Sequence, residues 1–134
     1  VKAMGATPLN AVQAVWAFDY DPDSGPPHTR RLFIDMTRHP GRPDGAAVDV
    51  DGCYWICGND AGLVHRFTPD GRLDRSLAVP VQKPAMCAFG GPQLDTLFVT
   101  SIRPAGDVSE QPLAGGVFAL SPGVRGMAEP ALRP

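Results

Sequence analysis

No run of about 18 apolar residues occurs in this 134-residue chain, and no secretory apolar region is visible. Neither membrane insertion nor export is therefore expected. There is no basic block either. Twelve Lys and Arg stand against 14 Asp and Glu, a net charge of -2, so nucleic-acid binding has no electrostatic footprint. An even set of cysteines is also missing: the chain has Cys53, Cys57 and Cys87. An odd count without an export signal argues against a disulfide framework and for a reducing compartment, here the cytoplasm. Cys53 and Cys57 are loosely spaced for half a zinc site, and no second pair or His-x3-5-His follows. They read better as small buried hydrophobes. His28, His39 and His65 show no ligand spacing, and His65, on an alternating strand, reads as a packed or surface residue. No Ser sits in Gly-x-Ser-x-Gly, so serine-hydrolase chemistry has no support. Phe89-Gly90-Gly91 lacks a following Lys-Ser/Thr, which excludes a phosphate loop.

No amphipathic helix of more than about two turns is visible. What the chain has instead is turns: 15 glycines and 15 prolines, spread between short apolar runs. Its length suits one domain. Strands are expected over Ala11–Tyr20, with Val12, Ala14, Trp16 and Phe18 on one face, and over Arg31–Met36. They continue at Ala46–Val50 and Cys53–Cys57, around a two-residue Asp51-Gly52 turn. Leu63–Phe67, an exposed Arg72–Val79, Met86–Phe89, Leu97–Ser101 and Gly115–Leu120 complete the set. Thr37–Arg42 and Ile102–Leu113 read as loops. Val15-Trp16-Ala17-Phe18, Val64-His65-Arg66-Phe67 and Val117-Phe118-Ala119-Leu120 share a shape and recur about 50 residues apart. Trp55 and Phe98 form a second echo. A repeat of this length made only of short strands marks propeller blades, none of which can bury its faces alone. The expected fold is all-β: about two and a half to three blades of antiparallel strands, part of a ring.

One tripeptide occurs twice, as Pro43-Asp44-Gly45 and as Pro69-Asp70-Gly71. Proline presets φ, aspartate bonds the local backbone and glycine accepts positive φ, so each reads first as a turn. Motif counting alone does not separate Asp44 from Asp70.

A longer set of ordered residues separates them. Pro43-Asp44-Gly45-Ala46-Ala47-Val48-Asp49, Gly52-Cys53-Tyr54-Trp55 and Gly62-Leu63-Val64-His65-Arg66-Phe67-Thr68-Pro69-Asp70-Gly71 come first. Leu77-Ala78-Val79-Pro80, Phe89-Gly90-Gly91, Leu94-Asp95-Thr96-Leu97-Phe98-Val99-Thr100-Ser101 and Gly115-Gly116-Val117-Phe118 follow at similar spacing. This pattern resembles the SMP-30/gluconolactonase/LRE-like family, and Gly52-Cys53-Tyr54-Trp55 is most similar to its bacterial sugar-acid lactonases. The resemblance implies a six-bladed propeller of roughly twice this length, matched over its C-terminal half. Residues 1–10 stand unmatched, 11–126 form the partial propeller and 127–134 a tail.

The resemblance further implies a divalent metal, calcium or zinc, in the central channel. Its ligands in the family are one Glu, two Asn and the Asp of Pro-Asp-Gly, which falls on Asp44. The Glu and both Asn would precede Val1, as would an Arg that holds the substrate acid. Asp70 fits an outer hairpin. The implied reaction opens an aldonolactone to the sugar acid, with the metal polarising the lactone carbonyl. Asp44 is thus the candidate catalytic and metal-binding residue, as ligand and as proton acceptor for water. A lone carboxylate binds a hard cation weakly, because calcium takes six to eight oxygens. Asn59, after the Trp55 strand, is the candidate substrate contact, against a loop Asn in a left-handed turn. Asp60 reads as a solvated loop charge, and Thr100 and Ser101 as a hydrogen-bonded strand end. The expected partner is a small sugar lactone, with no nucleic acid and no membrane. A competing expectation is a non-catalytic half-propeller, or an inactive truncated product, whose open blade edges support self-association.

Overall fold

The computed structural model describes residues 13–131. The unmatched segment 1–10, the start of the first expected strand and the end of the tail lie outside the described residues. Among the described residues, nine strands form three antiparallel sheets. The first sheet pairs β1 (Ala14–Asp19) with β2 (His28–Asp35). A 3-10 turn, Met36–Arg38, leads to the second sheet. That sheet is a meander of β3 (Arg42–Val48), β4 (Tyr54–Asn59), β5 (Leu63–Phe67) and β6 (Leu73–Ala78). The third is a meander of β7 (Pro84–Gly90), β8 (Thr96–Ser101) and β9 (Val117–Leu120). Meandering sheets in series are the layout of propeller blades.

The repeat maps onto these sheets strand by strand. Val64 is the second residue of the third strand of one meander and Val117 the first residue of the third strand of the next. Val15 lies on β1, which one further strand follows, as β6 follows β5. Trp55 and Phe98 lie on the second strands of their sheets.

The two central strands of the middle sheet, β4 and β5, have no solvated face, and side-chain alternation explains how. Tyr54 and Ile56 point toward the first sheet, where Ile34, Met36 and Phe67 are buried with them. Trp55 and Cys57 point the other way, into a cluster with Val64, Val79, Val81, Cys87, Leu97 and Val99. A strand buried on both faces reads as a continuous apolar run, as Tyr54-Trp55-Ile56-Cys57 does. On β1 the face bearing Trp16 and Phe18 is the exposed one. Val15, on the opposite face, packs into the core.

The Asp51-Gly52 hairpin differs from the expected two-residue turn. The closing pair is Asp49 and Cys53, with Asp49 N–H donating to the Cys53 carbonyl at 3.0 Å. Three residues lie between them, and Gly52 sits at φ +75°. This is the three-residue loop that ends in a left-handed glycine. The Asp49 carboxylate favours it by accepting from the backbone N–H of both Asp51 and Cys53.

Candidate functional site

β3 and β7 are the leading strands of their sheets, and β7 packs against β3 and β4. Asp44 lies where they meet. Contrary to the turn expected for Pro43-Asp44-Gly45, all three residues are inside β3. Pro43 pairs with Gly58 and Ala46 with Ile56, so Asp44 and Gly45 together oppose Cys57. This is a β-bulge, a device that re-aims a side chain and ends regular pairing. Pro43 is tolerated there because a bulge forgives its missing N–H. Gly45 is not needed for positive φ. A Cβ on it would lie 2.6 Å from both the Ala85 carbonyl oxygen and Met86 Cα. The glycine lets the two leading strands touch.

Asp44 and Asn59, the two candidate residues, are neighbours. Asn59 Nδ2 donates to Asp44 Oδ2 and to the Pro84 carbonyl, each at 3.1 Å. Asn59 Oδ1 accepts from Arg42 Nη2 at 3.3 Å. The orientation of the amide follows from its partners. A guanidinium only donates, while a carboxylate and a carbonyl only accept. Asn59 is 3% exposed. Arg42 also donates from Nε to Asp60 at 2.6 Å, and Lys83 pairs with the same carboxylate. Asp60 is the exposed loop charge expected from sequence, its side chain 42% exposed, and it is ion-paired as well. Lys83 first, and then Arg42, hold its carboxyl below the usual range.

His65 anchors the approach to this site. Its Nε2 donates to the Pro40 carbonyl at 2.8 Å and its Nδ1 accepts from Ser76 at 2.7 Å. The ring passes over Gly58, where a Cβ would lie 2.9 Å from Nε2. Of the alternatives expected for His65 the packed one holds, at 1% exposure. His39 packs edge-on against Phe67 at 4.9 Å. Burial, and then the nearby His65 ring, lower its pKa.

The other candidates lie in structural roles. Cys53, Cys57 and Cys87 are free and buried. A hydrogen bond with Cys87, then burial, pushes the Cys57 thiol up, and burial does the same to Cys53. Such thiols are neutral and poorly reactive. Ser101 donates to the Gly116 carbonyl at 2.8 Å and accepts from Gly115 N–H at 3.1 Å, as a strand end. Arg42 was not singled out from sequence. The two-residue period of a strand was the available signal, since it sets residues 42 and 44 on one side.

The donor chemistry at Asp44 suits a hard divalent cation. Among the described residues its Oδ1 has no hydrogen-bond partner, and the side chain is exposed. The ligand count is another matter. No group of three or more His, Cys, Asp or Glu that could hold a metal occurs among the described residues. Asp44 fits as one ligand of a set, not as a set.

The SMP-30/Gluconolactonase/LRE-like region model matches residues 10–103. A 6-deoxy-6-sulfogluconolactonase of Pseudomonas putida is 45% identical over 112 residues, 81% of this chain and 38% of that protein. Regucalcin of Gallus gallus is 36% identical over 119 residues, 85% of this chain and 40% of that protein. The crystal structure of a calcium-binding protein, regucalcin, from Agrobacterium tumefaciens superposes with a TM-score of 0.84 at 32% identity. It covers 91% of this chain and 43% of the other. The chain thus spans about two fifths of the length of the curated relatives it matches.

Proposed function

The chain belongs to the SMP-30/gluconolactonase/LRE-like family, and from that membership we propose that it carries part of the active site of a lactonase. The reaction is hydrolysis of a sugar-acid lactone to the open acid, and the substrate is an aldonolactone. The observation that carries the reading is the free Oδ1 of Asp44 on the bulge where the leading strands meet.

The proposed site uses Asp44 as one ligand of a divalent cation, calcium or zinc. When bound, such a cation supplies Lewis-acid polarisation of the lactone carbonyl. The residues of this chain do the rest of what is proposed here. Asp44 divides its oxygens: Oδ2 is held by Asn59, and Oδ1 is open to the cation or to a proton from attacking water. Ligation and proton acceptance compete for that one oxygen. Pro84 and Asn59 keep the carboxylate at the junction of β3 and β7. The three free buried thiols support a cytoplasmic setting. Among the described residues no helix is long and apolar enough to cross a membrane.

The test is ring opening of gluconolactone followed by pH-stat, with calcium, zinc or manganese added and then removed by chelator. Metal-dependent hydrolysis that Asp44→Asn abolishes supports the reading. Hydrolysis indifferent to both overturns it. Calorimetric titration of this chain with the same metals should give weak binding, and tight stoichiometric binding would contradict the single-ligand site.

One observation favours a second reading, an interaction module that self-associates. Trp16, Phe18, Tyr20 and Leu32 of the first hairpin are 42%, 46%, 65% and 54% exposed. Among the described residues, β1 and β9 each have one strand neighbour. Sedimentation as a strict monomer at high concentration would sink this alternative.

A further inference from the structure

Asn59 has no polar atom left for a substrate. Both of its amide protons are spent on Asp44 and Pro84, and its oxygen is spent on Arg42. Its side chain is also shut off from solvent. Of the outward-facing groups it touches, Arg42 and Asp44, only Asp44 keeps an unpaired oxygen. We propose that Asn59 acts on Asp44 rather than on the lactone, and that Arg42, held by Asp60, is the positioning residue that fixes it there. The proposal rests on the reading of Asp44 as a metal ligand.

Strand geometry sets up the relay. Arg42 and Asn59 are directly paired across β3 and β4. Asp44 follows Arg42 by two positions, so both side chains flank the amide. Arg42 meets the oxygen end and Asp44 the nitrogen end. The guanidinium is itself fixed by Asp60, at the first position of the β4–β5 turn with φ +74°. Lys83, on the connection to β7, closes the chain on the other side of Asp60. Four polar side chains from β3, β4, the β4–β5 turn and the β6–β7 connection thus form one chain, which ends in the Asn59 bond to Asp44 Oδ2. The effect is to pin Oδ2 and present Oδ1. Partners that orient a ligand in this way commonly change metal affinity by about 10- to 100-fold when removed.

The test uses this chain and Mn2+ alone, read by paramagnetic broadening of backbone amide signals at fixed pH. The side-chain amide signals of Asn59 are followed in parallel. In the parent chain, broadening should centre on Asp44 and Gly45. Asn59→Ala should weaken the apparent Mn2+ affinity about tenfold or more. Arg42→Ala should weaken it less, and should shift the Asn59 amide signals and speed their exchange. Arg42→Lys, which keeps the charge but not the fork, should recover part of the loss. Urea midpoints show whether each variant remains folded, and half-exposed Arg42 keeps the test usable if Asn59→Ala does not fold. Unchanged Mn2+ affinity in folded Asn59→Ala overturns the proposal. So do Asn59 amide signals indifferent to Arg42→Ala. Failure of the metal reading looks different: broadening is absent from the parent chain or survives Asp44→Asn. The Asn59 signals then decide the positioning by themselves.

Discussion

The β3–β4 hairpin carries an aspartate near each end, and the two live in opposite circumstances. At the turn end Asp49 is fully buried. Its carboxylate accepts from Cys53 N–H, Asp51 N–H, Trp55 Nε1 at 2.8 Å and Arg66 Nε at 2.8 Å. Arg66 spends its other nitrogens on Asp51 and Asp74, at 2.9 and 3.0 Å. At the open end Asp44 is exposed and uses one oxygen on Asn59. A saturated, buried carboxylate has nothing to offer a ligand, and its worth is in holding the hairpin. An exposed one with a spare oxygen contributes little to folding and is available for chemistry. The two ends separate a structural carboxylate from the one proposed as functional, within one pair of strands.

Arg66→Ala should test this contrast most severely, because it strands the buried Asp49 charge. A loss of about 3–5 kcal/mol is expected in urea denaturation. A loss under about 1 kcal/mol would mean that the turn end is not held by this pair. Next in size is Gly45→Ala, which drives a methyl into β7 and should cost about 1–3 kcal/mol. Hydrogen exchange should localise the damage to β3 and β7, with the β1–β2 sheet spared. A uniform loss of protection would contradict the close approach as its cause.

Acid should then erode the turn end. Burial pushes the Asp49 carboxyl up, but Arg66, Trp55 and Cys53 more than offset this and hold it below the ordinary value of 3.8. A depressed folded value means stability in full above that range, lost as pH falls through the folded value. Stability measured below about pH 4 should fall with a component that Asp49→Asn removes. Smallest in folding terms is Asp44→Asn, expected within about 0.5 kcal/mol of the parent. The same change should cost lactone hydrolysis by the whole protein about 100-fold or more, beyond what removing a supporting partner costs. Asp70→Asn is its control and should leave hydrolysis untouched. A large folding cost at Asp44, or a hydrolytic cost at Asp70, would break the contrast.

The two Pro-Asp-Gly tripeptides show how far sequence could be read. Pro69-Asp70-Gly71 is the turn that its residues encode: Gly71 has φ +81° and donates to the Thr68 carbonyl at 2.8 Å. Pro43-Asp44-Gly45 has the same letters and lies in a strand, because β4 offers it pairing and β7 lies against it. Local residue preferences are the same for both, so only neighbours could separate them. Most strand locations were legible, with Leu63–Phe67 matched to the residue and the start of β3 missed. That follows because turn residues and β-branched or aromatic runs act locally. The fork of Arg42 onto Asn59 and Asp60 was not legible. It depends on a cross-strand register that a bulge resets, and no single segment carries that information.

Short-range chemistry was therefore enough for the all-β class, the repeat of second and third strands and the placement of most turns. These depend on residues near one another along the chain. Packing between sheets made the rest. It turned a tripeptide into a bulge, gave Gly45 a steric task instead of a conformational one, and set Asn59 between Arg42 and Asp44. Each of those outcomes depends on atoms brought together from different strands, and the free energy that selects them exists only once the sheets are in contact.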